Sequence, residues 1–219
     1  MGGRTSLTGG GRRRTRRAIP ATALLTVLLA GLMAGLVLGV AAHAHSRSNA
    51  AVAFAAVPVL AATAGEPDGA PVDGITADPV ERVAFHFHVH LRIYVDGQPR
   101  AIPEGVGIVP SYQVQHDADG PFIAGGRAFY WLHTHDRTGV IHIESPVPRV
   151  YTLGEFFDIW GQPLGSDQVG PAHGPVSVQV NGTHFIGDPA AVPLRAHDVI
   201  QLAVGPPVAF RPYSFPPGL

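Results

Sequence analysis

The sequence predicts a mainly β domain of the α+β or β-sandwich type, with an antiparallel sheet and one short helix, preceded by an N-terminal transmembrane helix. Hydrophobic residues alternate strictly along 82–95, which is typical of a strand with one face on a core. Asx-Gly pairs at 96–97 and 181–182 are strong signals for hairpin turns. The 27 Gly and 21 Pro, against 14% charged residues, indicate many turns and short strands rather than a helical bundle.

The N-terminal 42 residues are predicted to anchor the chain in the cell membrane. Residues 1–17 form a basic tail with an arginine cluster, and 18–42 carry no charge. About 20 apolar residues are enough to cross a bilayer as a helix, and arginines on the N-terminal side predict a cytoplasmic tail and a C-terminal domain outside the cytoplasm. The alternative is a cleaved signal peptide and secretion, because Ala42-His43-Ala44 fits a small-x-small cleavage site.

Residues 43–77 are rich in Ala, Pro, Gly and Asp, and this composition predicts a flexible linker. The folded domain is therefore expected over 78–219. It shows no basic patch, which argues against nucleic acid as a partner. The chain has no cysteine, which excludes disulfides, thiolate metal sites and cysteine nucleophiles.

The stretch "RVAFHFHVHLRIYV" (82–95) is the first strand. Its apolar side chains occupy the odd positions, and successive residues of a strand point to opposite faces. His86, His88 and His90 are therefore expected to share the face that points away from the core. The Asp-Gly turn that follows predicts a return strand and a loop within 98–109.

A second hairpin is predicted from strands over 129–135 and 140–145, joined by a four-residue turn at 136–139. This turn pairs His133 with His142. A three-residue loop would mix apolar and ionisable side chains on both faces, because a slip of one residue turns a strand over. The alternation therefore favours the four-residue turn. In that register the hairpin's candidate ligands share one surface: His133, His135, His142 and Glu144.

One helix and a second β segment complete the predicted domain. Thr152 is the predicted N-cap of the helix, Glu155 completes a capping box, and Gly161 ends the helix. The buried stripe follows helical spacing and comprises Leu153, Phe156, Phe157 and Trp160. Strands are predicted at 176–180 and 198–205, and the Pro-rich tail after them is expected to be extended.

If the strand 82–95 lies beside the hairpin, both histidine runs form one cluster on a shared outer surface. Directly opposed residues have Cβ atoms about 4.5–5.5 Å apart, which suits imidazoles that share a metal ion. Imidazole-dominated coordination favours a divalent transition metal, Zn²⁺ or Cu²⁺. The candidate ligands, in order, are His133, His135, His142, His88, His90, His86 and Glu144. Asp136 is the candidate to orient a ligand imidazole by accepting its N–H.

The remaining histidines of the predicted domain stand alone in turn-like contexts. We expect them to be surface or turn residues rather than ligands: His116, His173, His184 and His197.

Three motifs, "HFHVHLRIYVDG", "YWLHTHDRTGVIHIESP" and "TLGEFFDIWGQPL", resemble those of a group of uncharacterised membrane-anchored prokaryotic proteins. The resemblance covers roughly 84–219 and implies a membrane-anchored domain without implying an activity.

Two alternatives to a metal-binding domain stay open at this point. A metal-dependent hydrolase or oxygenase could use a histidine site with an open coordination position, with Glu144 as general base. A structural or partner-binding domain could use the histidine face as an interface without metal. The sequence contains no serine-hydrolase motif, phosphate loop or nucleotide fingerprint.

Overall fold

The computed structural model describes residues 57–63, 68–117 and 120–219, together with Gly2. The rest of the predicted basic tail, the predicted membrane span at 18–42 and the small-x-small site lie outside the described residues. No helix within the described ranges is long and apolar enough to cross a membrane. From residue 57 onward, the described ranges belong to one compact unit.

The described ranges contain short strands, one α-helix and one turn of 3₁₀ helix, Pro189–Ala191. The helix is α1 (Leu153–Trp160). The strands are β1 (Ala77–Asp78), β2 (Phe85–Val95), β3 (Gln98–Arg100), β4 (Ile108–Val109), β5 (Gln113–Asp117), β6 (Gly120–Gly125), β7 (Ala128–Tyr130), β8 (Leu132–His133), β9 (Val140–Ser145), β10 (Tyr151–Thr152), β11 (Gln168–Val169), β12 (Ala172–His173), β13 (Val176–Val180), β14 (Thr183–His184), β15 (Pro193–Leu194) and β16 (Val199–Val204).

A seven-stranded sheet is the largest in the described part of the chain. Its order is β14-β13-β16-β2-β9-β8, and β3 also pairs with β2. Because β2 is antiparallel to β9 but parallel to β16, this sheet is mixed, whereas the sequence predicted an antiparallel sheet. Asx-Gly turns predict only hairpin neighbours, which are antiparallel, and give no information about strands that are distant in sequence.

Both predicted Asx-Gly turns are confirmed. Asp96 and Gly97 have φ of 51° and 75°, and Asn181 and Gly182 have φ of 52° and 82°. Positive φ at both central residues gives the turn whose twist matches that of the flanking strands. The first turn joins β2 to β3, and the second joins β13 to β14.

Helix α1 is confirmed with its capping box. The Thr152 hydroxyl accepts a hydrogen bond from the Glu155 N–H, and the Glu155 carboxylate accepts one from the Thr152 N–H at 2.8 Å. Gly161 ends the helix in the left-handed region, with φ of 70°. The predicted stripe is fully buried and packs in one core with the odd residues of β2, which confirms the strand's phase.

The opposite face of the sheet is covered, although the sequence predicted an outer surface there. Phe129 of β7 and Phe122 of β6 contact the rings of His133 and His135, with centroid distances of 5.6 and 4.8 Å. The C-terminal tail covers another part of β2, where the Tyr213 ring stacks on the His90 ring with a centroid distance of 3.8 Å. The strands β5 (QVQHD) and β6 (GPFIAG) show no alternation of apolar and polar residues, so the sequence did not predict this second layer.

Part of the predicted linker packs on the domain. The Leu60 N–H donates to the Ala101 carbonyl at 2.8 Å, and the Ala101 N–H donates to the Pro58 carbonyl at 3.0 Å. Leu60 and Ile75 are both buried in the core. The folded unit therefore starts before the predicted boundary at Asp78, because isolated apolar residues anchor a segment whose composition is otherwise that of a linker.

Candidate metal centre

The sheet register brings the two histidine runs together across three neighbouring strands. β2 pairs with β9 so that His86 lies opposite Glu144 and His88 lies opposite His142. On its other edge β9 pairs with β8, where His133 lies opposite the same His142. The predicted register of the second hairpin is therefore confirmed, and so is its position beside β2.

The hairpin differs from its prediction near the turn. The ladder ends at His133, so His135 does not pair with Val140, and 134–139 form a longer connection than the predicted four-residue turn. The chain leaves the ladder because its backbone N–H and carbonyl groups form hydrogen bonds with the covering layer instead. The Thr134 N–H donates to the Val106 carbonyl at 2.9 Å, and the His135 carbonyl accepts from the Ile123 N–H at 2.8 Å.

Four side chains between β2 and β9 form what we call the first donor group: His86, His88, His142 and Glu144. The Nε2 atom of His88 lies 3.1 Å from His86 Nε2 and 3.2 Å from His142 Nδ1. The Oε1 atom of Glu144 lies 3.2 Å from His86 Nε2 and 3.3 Å from His142 Nδ1. These four atoms converge as the ligands of one metal ion do.

The second donor group consists of His133, His135 and His142. The Nε2 atoms of His133 and His135 face each other at 3.2 Å. The Nδ1 atoms of these two rings lie 2.9 Å from the Tyr130 carbonyl oxygen and 2.6 Å from the Ile123 carbonyl oxygen, respectively. A carbonyl oxygen can only accept, so each Nδ1 carries the proton and each neutral ring presents the lone pair of Nε2 to the other ring.

Glu81 joins the cluster from the segment before β2, and the sequence analysis missed it. Its Oε1 atom lies 3.5 Å from His135 Nε2, and it can share a metal position with His133 and Glu144. Glu81 occupies an odd position, which strict alternation assigns to the core face. The turn at 83–84 breaks that phase. Glu81 is an acidic residue among odd positions that are otherwise apolar, and this exception was the signal that could have revealed it as a candidate ligand.

Burial keeps three imidazoles of the cluster neutral. It lowers the pKa of His88 to about 4, of His133 to about 3 and of His142 to about 2, and neighbouring imidazoles lower these pKa values further. Metal coordination requires the neutral ring. At neutral pH the cluster therefore presents ligands without first having to release protons from these three rings.

The two carboxylates give the cluster its negative charge. Glu144 is 4% exposed, and its Oε2 atom is buried without a hydrogen-bond partner. Burial, and then the charge of Glu144, raise the pKa of Glu81. Carboxylates beside neutral imidazoles favour a cation, and a buried carboxylate oxygen is costly when it lacks a partner.

Thr134 and Gly107 hold the second donor group in place. The Thr134 hydroxyl donates to the Pro103 carbonyl at 2.9 Å and accepts from the Val106 N–H at 3.2 Å. Gly107 lies against the Leu132 carbonyl and His133, where a Cβ atom would clash with the backbone. Through these contacts the segment 103–109 packs on β8 beside the imidazole of His133.

His90 shares the histidine face of β2 but belongs to none of the three potential metal groups found among the described residues. Its Nε2 atom donates to the Thr138 carbonyl at 2.9 Å, and its ring stacks on Tyr213. Burial lowers its pKa to about 3, and the nearby Arg92 adds to this shift. The histidine predicted as a ligand here is therefore packed under the tail.

Asp136, predicted to orient a ligand imidazole, accepts hydrogen bonds from the N–H and the hydroxyl of Thr138, at 2.8 and 2.5 Å. It thereby shapes the connection between β8 and β9. For His133 and His135 the orienting acceptors are backbone carbonyls instead. Carbonyl acceptors leave no trace in a sequence pattern, because every residue has one.

The four isolated histidines lie on the surface, as the sequence predicted. All are exposed, and they take no part in the potential metal groups of the described residues: His116, His173, His184 and His197. Comparison of the chain with protein-family models, with curated proteins and with solved structures found no match.

Proposed function

We propose that this protein is a membrane-anchored metal-binding protein, whose domain outside the cytoplasm holds a divalent transition metal in the histidine cluster. One observation carries the proposal. The Nε2 atoms of His133 and His135 face each other at 3.2 Å, while both Nδ1 atoms are committed to carbonyl oxygens.

Two lone pairs that point at each other inside a protein need a positive charge between them. A proton shared by the two rings is the alternative to a metal ion. Burial opposes it, because His133 is fully buried and its pKa is lowered to about 3. A dication satisfies both lone pairs at once.

The donor set of the first group supports Zn²⁺ or Cu²⁺, because imidazole nitrogens suit both ions. Neighbouring ligand atoms around either ion lie about 2.9–3.4 Å apart. The four contacts of this group are 3.1, 3.2, 3.2 and 3.3 Å. The uncharged run at 18–42 and the arginines before it support the membrane anchor.

The test is metal analysis of the full chain, purified without a histidine tag, stripped with a chelator and reloaded with Zn²⁺ or Cu²⁺. We expect stoichiometric metal that survives gel filtration. His133→Gln should lower the affinity at least about tenfold, because it removes a buried ligand, while His184→Gln at an exposed position should leave the affinity unchanged. Failure to retain either metal would refute the proposal and leave a domain without metal. Equal effects of the two substitutions would show that any bound metal lies outside the histidine cluster.

A metal-dependent enzyme is the second candidate, because the cluster reaches solvent on one side. The side chains of His86 and Glu81 are each 36% exposed, so water or a substrate can approach a metal from this rim. Three protein ligands plus water are typical of catalytic zinc, and four protein ligands of structural zinc. In the Co²⁺-loaded chain, a spectrum that azide perturbs would favour the enzyme.

A further inference from the structure

We propose that the cluster holds two metal ions, one in each donor group, and that the imidazole of His142 bridges them. This inference rests on the proposed function and extends it. The first ion would be bound by His86, His88, His142 and Glu144, and the second by His133, His135, His142 and Glu81.

The number of donors exceeds what one ion of the proposed kind accepts. A zinc ion in a protein is almost always bound by four ligands. The cluster supplies the members of the first donor group and, in addition, three further side chains, His133, His135 and Glu81. The short contacts of these three side chains join them to one another, with 3.2 Å between His133 Nε2 and His135 Nε2 and 3.5 Å between His135 Nε2 and Glu81 Oε1. His133 and His135 can also share a metal position with His142.

The short contacts also divide into two sets. Within the first donor group, four contacts of 3.1–3.3 Å form a closed ring of atoms. A separate pair of contacts links His135 Nε2 to His133 Nε2 at 3.2 Å and to Glu81 Oε1 at 3.5 Å. Each set has its own centre, around which its donor atoms converge.

His142 belongs to both sets because of its place in the sheet. It lies on β9, opposite His88 on one side and opposite His133 on the other. Its Nδ1 atom is engaged in the first set, at 3.2 Å from His88 Nε2. Nε2 is the nitrogen left for the second set, and an imidazole can bind a metal through either nitrogen. To bind both ions at once, the neutral ring releases its remaining N–H proton to solvent and bridges the ions as an imidazolate, because metal binding requires a deprotonated ligand atom.

The charges fit two cations better than one. Each set has one carboxylate, Glu144 in the first and Glu81 in the second, and the two carboxylates are close enough to share a position with His133. A single ion in one set would leave the other set's lone pairs, or its carboxylate, without a counter-charge in a largely buried place. Two dications satisfy both sets.

Substitutions of the partly exposed residues His86 and Glu81 test the proposal without damage to the core. Full-length protein is loaded with Zn²⁺, and its bound metal is counted by mass spectrometry of the intact protein and by calorimetric titration. We expect two ions per chain. His86→Gln should weaken only one of them and Glu81→Gln only the other, each at least about tenfold, because the two side chains are half-exposed and belong to different sets. His184→Gln is the control and should keep both ions.

Each remaining outcome overturns a defined part of the proposal. One ion per chain, weakened by both rim substitutions, would overturn the two-ion inference and leave the proposed function standing. Two ions of which both substitutions weaken the same one would overturn the assignment of the sets. No bound ion would overturn the proposed function as well. With Cu²⁺, mutual broadening of the two electron paramagnetic signals is expected, and an isolated-ion spectrum at full loading would contradict the bridge.

Discussion

At the scale of single residues, Thr134 connects the histidine cluster to the layer that covers it. It is fully buried between His133 and His135, and its hydroxyl satisfies both the Pro103 carbonyl and the Val106 N–H. We expect Thr134→Val, which keeps the shape, to lower the free energy of unfolding by about 1–3 kcal/mol, because two buried polar groups lose their partner. Urea unfolding measures this effect. The same change at exposed Thr183 should have almost none, and an equal loss at both positions would contradict the role of Thr134.

Gly107 allows the closest backbone approach beside the cluster. Its φ is +72°, and an added Cβ would clash with the Leu132 carbonyl. Gly74 has nearly the same φ, +75°, but open space around it. Gly74→Ala should therefore lower the free energy of unfolding only by the backbone strain, about 1–2 kcal/mol. Gly107→Ala should cost about 1–3 kcal/mol more because of the overlap. Equal midpoints for the two variants in urea would show that the close approach does not matter.

The residues of the cluster were predictable where strand alternation determines the face of the sheet to which a side chain points. His86, His88, His133, His142 and Glu144 lie on three neighbouring strands, and His135 lies in the connection after β8. The register that joins His133 to His142 follows from the apolar partners on the other face. Glu81 and the carbonyls of Tyr130 and Ile123 were not predictable, because they come from irregular segments where direction depends on tertiary packing.

At the scale of elements, α1 contains an unfavourable charge near its C-terminal end. Partial burial, and then the hydrogen bond and charge of Asp73, raise the pKa of Asp158 to about 6. The folded state therefore binds more protons than the unfolded state between about pH 4 and 6, so stability falls as the pH rises through this window. The negative end of the helix dipole adds to the penalty.

Asp158→Asn is therefore expected to stabilise the protein at neutral pH. The gain should be about 0.3–1 kcal/mol at pH 7.5, because the side chain is solvent-exposed and its charge is screened. It should disappear near pH 4, where the parent carboxyl is protonated. Urea unfolding of both proteins at the two pH values measures the difference. Asp167→Asn, at an exposed aspartate outside the helix, should show no such pH dependence, and a gain that persists at pH 4 would contradict the explanation.

The elements that could be predicted are those with strong local signals. The capping box at Thr152 and the Asx-Gly turns are short patterns with a direct physical cause, and all are present as predicted. The parallel pairing of β2 with β16 and the pairing of β4 with β7 could not be predicted. The partner strands are distant in sequence, and their hydrogen bonds depend on the final packing of the chain.

At the scale of the whole molecule, the proposed metal links the two layers that enclose the histidine cluster. Most candidate ligands lie on β2, β8 and β9 of the seven-stranded sheet, and His135 lies in the connection after β8. The carbonyl that holds His135 belongs to β6 of the covering layer. Glu81 adds the segment between β1 and β2. A metal at this place therefore constrains both layers at once, and its binding energy should appear as stability of the whole unit.

We expect metal removal to destabilise the entire domain rather than one strand. A metal at 100 times its dissociation constant stabilises the folded state by about 2.7 kcal/mol if it does not bind the unfolded chain. Hydrogen exchange of the stripped and Zn²⁺-loaded full chain measures where this stability appears. Slower exchange should extend over β2 and β9. It should also extend over β5 and β6, because the contact between Ile123 and His135 connects the β5–β6 hairpin to the metal site. His184→Gln should reproduce the wild-type pattern. Slower exchange confined to 140–145 would show that the metal acts only locally and that the covering layer is held by its apolar contacts alone.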